Sequence, residues 1–164
     1  MHYDFEQEKT YMPRTAVLVI LASALLTASA ISQEKAIKRA QLPKPVEATV
    51  AAQSQGAKVR GFSEEKEKGQ TYYEAQFVVN GHSKDVLMDG DGKIVEVEEQ
   101  VAMDALPAAV RDGLQAKAGK GRLASVESIT KHDKLVAYEA KVITAGKHSE
   151  IQVGPAGQPL DHEE

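Results

Sequence analysis

Cysteine is absent from this 164-residue chain. That single absence excludes thiol catalysis, thiolate metal sites, disulfides and a lipid-modified N-terminal cysteine. An exported form would have only packing to hold it together. Tryptophan is missing too, and aromatic residues make up 5% of the chain, so the 42% that is hydrophobic must build a core chiefly from aliphatic side chains. A concentrated basic patch is also lacking. The formal net charge is -4, and lysines such as Lys66, Lys68, Lys117 and Lys120 are interspersed with acids or glycines. Phosphate backbones demand clustered Lys and Arg, so nucleic acid is not the expected partner.

Long hydrophobic runs are short of membrane length. Ala16 to Leu26 is apolar except for Ser23, well below the ~20 residues that cross a bilayer as a helix. The run instead completes a different pattern. Residues 12–30 read "MPRTAVLVILASALLTASA", with Arg14 as the positive end and Ala28-Ser29-Ala30 as a small-x-small cleavage site. This predicts a secretory signal peptide over residues 1–30, cleaved near Ala30. Asp4, Glu6 and Glu8 put negative charge ahead of it, which predicts that translation starts at Met12. The mature form would then be periplasmic or secreted, mildly acidic, and without a stable membrane span.

Catalytic patterns are lacking as well. No Gly-x-Ser-x-Gly elbow, Ser-x-x-Lys pair or Gly-x-Gly-x-x-Gly turn sits in a strand–helix setting. His2, His82, His132, His148 and His162 show no helical pairing with a glutamate, so they read as surface or strand positions and not as metal ligands. The sequence predicts no enzyme, no catalytic residues, no cofactor and no metal site.

What is present is a repetition. "LPKPVEATVAAQ" (42–53) is answered by "LPAAVRDGLQAK" (106–117), each with apolar positions four apart: Val46 and Val50, then Val110 and Leu114. This is helical spacing, with proline in the first turn where a helix accepts it. "AKVRGFSEEKEKG" (57–69) and "GRLASVESITKHDK" (121–134) follow as polar-interrupted strands. "TYYEAQFVVNG" (71–81) then matches "VAYEAKVITAG" (136–146), with Tyr73, Ala75, Phe77 and Val79 alternating against polar neighbours as Tyr138, Ala140 and Val142 do. Asn80-Gly81 and Ala145-Gly146 mark hairpin turns. Third strands follow at 82–89 and 147–154. The expected fold class is α+β: two tandem repeats, each a helix packed on a small antiparallel sheet, lying side by side. The expected organisation is an N-terminal linker at 31–41, repeat 1 at 42–99, a linker at 100–105 and repeat 2 at 106–162.

"MDGDG" (88–92) raises the possibility of calcium. An EF-hand loop needs oxygen ligands at positions 1, 3 and 5. Placing Gly92 at position 6 puts Leu87 at position 1, and placing Gly90 there puts Leu87 at position 3. Both registers lose a ligand, so Asp89 and Asp91 read as a turn between strands. The alternative is a weak calcium or small-ligand site that uses them with the acidic run Glu96, Glu98 and Glu99. Among tyrosines, Tyr73 and Tyr138 read as core. Tyr72 points the opposite way and is the candidate protein-contact residue.

The Leu-Pro-x-x-Val helix openings, the Tyr-Glu-Ala strands and "DGDGKIVEVE" resemble PepSY-like tandem repeats, which are similar in fold to the β-lactamase-inhibitor protein. The resemblance covers about residues 42–162. It implies a non-catalytic module of the bacterial periplasm or cell envelope that binds an envelope protein or peptide, including a peptidase or other enzyme that it would restrain. The second copy departs from the pattern after Gly157, where "QPLDHEE" places proline in the expected last strand.

Overall fold

The computed structural model describes residues 33–164. The signal peptide, the Met12 start and the cleavage site near Ala30 lie outside the described residues. The elements run β1 (Gln33–Ile37), a 3-10 turn (Arg39–Gln41), α1 (Lys44–Gln53), β2 (Lys58–Glu67), β3 (Gln70–Val79), β4 (His82–Asp89), β5 (Ile94–Gln100), α2 (Ala108–Ala118), β6 (Arg122–Lys131), β7 (Lys134–Thr144) and β8 (Lys147–Val153). All eight strands join one sheet in chain order, β1 through β8, each antiparallel to the next.

This overturns the expectation of two repeats, each with its own small sheet. The joint is β5, which pairs with β4 on one side (Val86↔Val97) and with β6 on the other (Glu98↔Ile129, Glu99↔Ser128). The physical reason is the edge. A terminal strand of a separate sheet leaves a row of N–H and C=O groups without partners, and pairing β5 with β6 satisfies them. Gln100, expected to open the linker, is therefore a ladder residue paired with Glu127. The segment 31–41, read as a linker, contributes β1, which covers the free edge of β2 (Ala36↔Ser63).

The helices form where proline and periodicity allow. Pro43 caps α1 and Pro107 caps α2, and the buried residues of each helix are those the spacing picked out: Val46 and Val50, Val110 and Leu114. Both helices lie on one side of the sheet. Val46 and Val50 pack in a cluster with Ala75, Phe77, Val86 and Met88. Val110 and Leu114 pack with Leu106, Val126, Ala140, Val142 and Val153. Strand alternation and register sort every other residue to the opposite side. Among the described residues, that opposite face carries no helix.

Each helix is pinned by a glycine loop. Gly92 has φ +75°, and a Cβ there would fall 2.5 Å from the Pro45 carbonyl oxygen at the start of α1. Gly157, at φ +79°, is pressed in the same way against Ala109 at the start of α2. Only glycine permits such approach in the left-handed region. After Gly157 no strand forms, as the proline in "QPLDHEE" predicts.

Candidate functional site

The helix-free face is built from acids that alternate with core residues. On β3, Ala75 and Phe77 turn toward the helices, so Glu74 and Gln76 turn away. Register then sets Glu74 opposite Ser63 on β2 and opposite Leu87 on β4. Gln76 faces Asp85, which faces Glu98 on β5, and Leu87 faces Glu96. The result is a cavity of about 510 Å³ on this face, lined by Glu65, Glu74, Asp85, Glu96, Glu98 and Lys131 among others.

Counter-charge is scarce on this half of the face. Lys131 Nζ lies 3.7 Å from Glu96 Oε2 and is shared with Glu164 at 3.8 Å. Glu74 has a neutral partner: the Gln76 amide donates to its Oε1 at 2.7 Å. Burial and neighbouring acids therefore disfavour the charged forms of Glu74, Asp85 and Glu98. Burial, then the nearby charges of Glu65 and Glu34, push Glu74 up to about 7, against the lowering hydrogen bond from Gln76. Asp85 rises to about 6, mainly through burial, with Glu74 and Glu127 adding and Lys141 and Arg60 opposing. Glu98 rises to about 8, again mainly through burial, then through Glu96, Glu139 and Glu127. Ser63, opposite Glu74, is 3% exposed, and its hydroxyl has no hydrogen-bond partner among the described residues.

The other half of the same face is satisfied. Glu127 accepts from the Ser83 hydroxyl at 3.0 Å and pairs with Lys141 at 3.4 Å. Gln152 donates to Glu139 at 2.9 Å and accepts from the Glu164 amide at 2.8 Å. The segment ending in Glu164 therefore crosses this half, where Ile129 and Ala137 are buried on the side that lacks helices.

Tyr72, the candidate contact residue, stands on the helix-free face opposite Glu65 and Asp89, and its hydroxyl meets Gln70 Oε1. Tyr73 and Tyr138 are half-buried against the two core clusters on the helix side. Asp89 forms a turn: its Oδ1 accepts from Asp91 N at 3.0 Å and Lys93 N at 2.9 Å. Glu96 and Glu98 reach the helix-free face, whereas Glu99, one residue on, faces the other way. His162 lines the cavity; His82 and His148 are exposed at strand starts, and His132 occupies the β6–β7 turn. Among the described residues, no three histidine, aspartate or glutamate side chains converge in a way that could hold a metal ion.

Glu65 and Glu74 carry no motif that marks them as site residues in the sequence, and Asp85 stands out there only beside the rejected calcium loop. The available signal was their position: acids placed opposite the apolar alternation of successive strands, all on one face once the register is known.

The fold is that of a BLIP-like protein. No protein-family model matches the chain, and no curated protein matches it. Solved structures do. A protein from Bacteroides eggerthii assigned to the periplasm is 22% identical with a TM-score of 0.58, over 71% of this chain and 84% of its own. A DUF2874 family protein from Bacteroides uniformis is 24% identical with a TM-score of 0.56, over 71% and 84%. A BLIP-like protein from Bacteroides fragilis is 18% identical with a TM-score of 0.54, over 75% and 85%. At these identities the likeness is one of fold. Among the described residues no helix is long and apolar enough to cross a membrane.

Proposed function

We propose that this chain is a non-catalytic binding module, exported to the periplasm or cell envelope, that holds a protein or peptide on the helix-free face of its sheet. One observation carries the reading. Both helices cover the same side of an eight-stranded sheet, and the other side keeps a cavity lined by carboxylates, with Tyr72 on the same face opposite Glu65 and Asp89. The signal-like residues 12–30, the PepSY-like resemblance over about residues 42–162, and the periplasmic assignment of a fold neighbour support export and binding. Restraint of a peptidase or another enzyme is the finer form of the proposal, drawn from the resemblance.

A calcium-binding role has less behind it. Asp89, its central ligand, already spends an oxygen on two backbone amides.

Site-specific photo-crosslinking tests the module. A benzoylphenyl side chain at Tyr72 should trap a discrete partner in the cell envelope, and the same group at Gln115, exposed on α2, should not. Equal trapping at both positions, or trapping only at Gln115, would contradict the proposal.

A further inference from the structure

Resting on that reading, we infer that the ligand of the helix-free face is a cationic segment: an extended Lys- or Arg-bearing stretch of a partner protein, seated across β2 to β5 over Glu65, Glu74, Asp85 and Glu98.

Charge complementarity is the first reason. The cavity lining holds Glu65, Glu74, Asp85, Glu96, Glu98, Glu163 and Glu164 against Lys131 and a Lys68 already 2.9 Å from Glu67, and of the two further bases that act on Asp85, Arg60 and Lys141, the second is paired with Glu127. The second reason is independent of charge. Ser63 stands opposite Glu74 and two residues from Glu65 on the same face, buried, with its oxygen unpartnered among the described residues. Buried hydroxyls in folded proteins nearly always have a partner. A guanidinium or ammonium inserted beside Glu65 and Glu74 would donate to this oxygen and to the carboxylates together.

Geometry selects a peptide over a compact ion. The carboxylates span four adjacent strands, roughly 14 Å at the usual strand spacing. One small cation cannot meet them all, and they do not converge as metal ligands do. An extended chain presents alternate side chains on one side at intervals of roughly 7 Å, which suits several carboxylates spread over such a span.

Glu74 and Glu98 hold protons near neutral pH because burial and adjacent acids disfavour their charge. A seated cation reverses that balance, so binding must release protons. Adhesion to ordinary surface carboxylates would not.

The test is fluorescence anisotropy and calorimetry on the full chain at pH 7. The probe is the labelled peptide Gly-Arg-Gly-Lys-Gly-Arg-Gly, with an all-serine counterpart and spermidine as comparisons. The paired change Glu74→Gln with Glu98→Gln is set against Asp104→Asn with Asp112→Asn, which removes the same formal charge from exposed positions away from this face. Expected are saturable binding of the cationic peptide, proton release that varies with buffer, ~10-fold weakening by the face variant, and less than ~2-fold by the control. No binding, equal weakening by both variants, or spermidine binding as well as the peptide would overturn the inference. The serine peptide binding equally, with exchange protection on β3–β5, would overturn the cationic class yet leave the binding module standing. Protection confined to α1 and α2 would overturn both.

Discussion

The Thr49 hydroxyl donates to the Gly92 carbonyl oxygen at 2.7 Å, tying α1 to the loop between β4 and β5. The same loop passes so close beneath Pro45 that no side chain fits at Gly92. Gly92→Ala should therefore destabilise the protein by about 2–4 kcal/mol, combining the clash with a positive φ that alanine adopts at a cost. Gly90→Ala, two residues away with nothing within 4 Å of its Cβ position, should change stability by less than about 0.5 kcal/mol. Urea denaturation of the two variants checks the contrast.

Asp89 stabilises that loop through two amide hydrogen bonds and not through a metal. Asp89→Ala should cost about 1–2 kcal/mol. Calcium at about 1 mM should leave the melting temperature of the wild-type protein within about 1 °C, since only a specific site raises it in a saturable way. Differential scanning calorimetry with and without calcium gives the answer.

The β5–β6 pairing makes the two core clusters parts of one cooperative unit. Leu114→Ala and Phe77→Ala, one in each cluster, should each lower stability by about 2–5 kcal/mol. In either variant near-UV and far-UV signals should still move together through one urea transition. Two separated transitions would show that the seam does not couple the halves.

The pH dependence follows from Glu74, Asp85 and Glu98. Each has a folded-state value, about 7, 6 and 8, above its unfolded value near 4. For acids shifted upward, the folded state binds more protons than the unfolded state across the interval between the two values. Their contribution is therefore fully present below about pH 4 and is lost as pH rises to about 8. Because the groups are partly solvated the effect is screened, and we expect the melting temperature to fall by about 3–6 °C between pH 5 and pH 9. Glu98→Gln should flatten that slope, with the variant outlasting wild type at pH 9. A slope unchanged by the substitution would show that Glu98 does not carry it.

Much of this molecule was written locally. Val46/Val50 and Val110/Leu114 spacing marked both helices, and Tyr73-Ala75-Phe77 and Tyr138-Ala140-Val142 marked two strands. Asn80-Gly81 and Ala145-Gly146 have φ values of 51° and 89°, and of 51° and 80°, as tight hairpin turns require. What was not legible is pairing between distant segments. "QEKAI" has no apolar alternation, and only its partnership with Phe62 to Lys66 makes it a strand. Nothing in Glu96 to Gln100 says that β6 will dock beside it. The acidic face depends on that same information, since Glu65, Glu74, Asp85 and Glu98 become neighbours only after four strands take their register. Ser63 sits in a polar-interrupted strand with nothing in the sequence to single it out, and its lack of a partner among the described residues shows only in three dimensions.

Carbon-detected NMR titration of the glutamate carboxyl groups tests the central claim most directly, namely that Glu74 and Glu98 on the helix-free face are carboxyl groups raised by burial and by neighbouring acids. Glu74 and Glu98 should titrate near 7 and 8, and both midpoints should drop toward the ordinary glutamate range when the Arg- and Lys-bearing peptide is added. Midpoints near 4.5 in the free protein, or midpoints that do not move with the peptide, would contradict it.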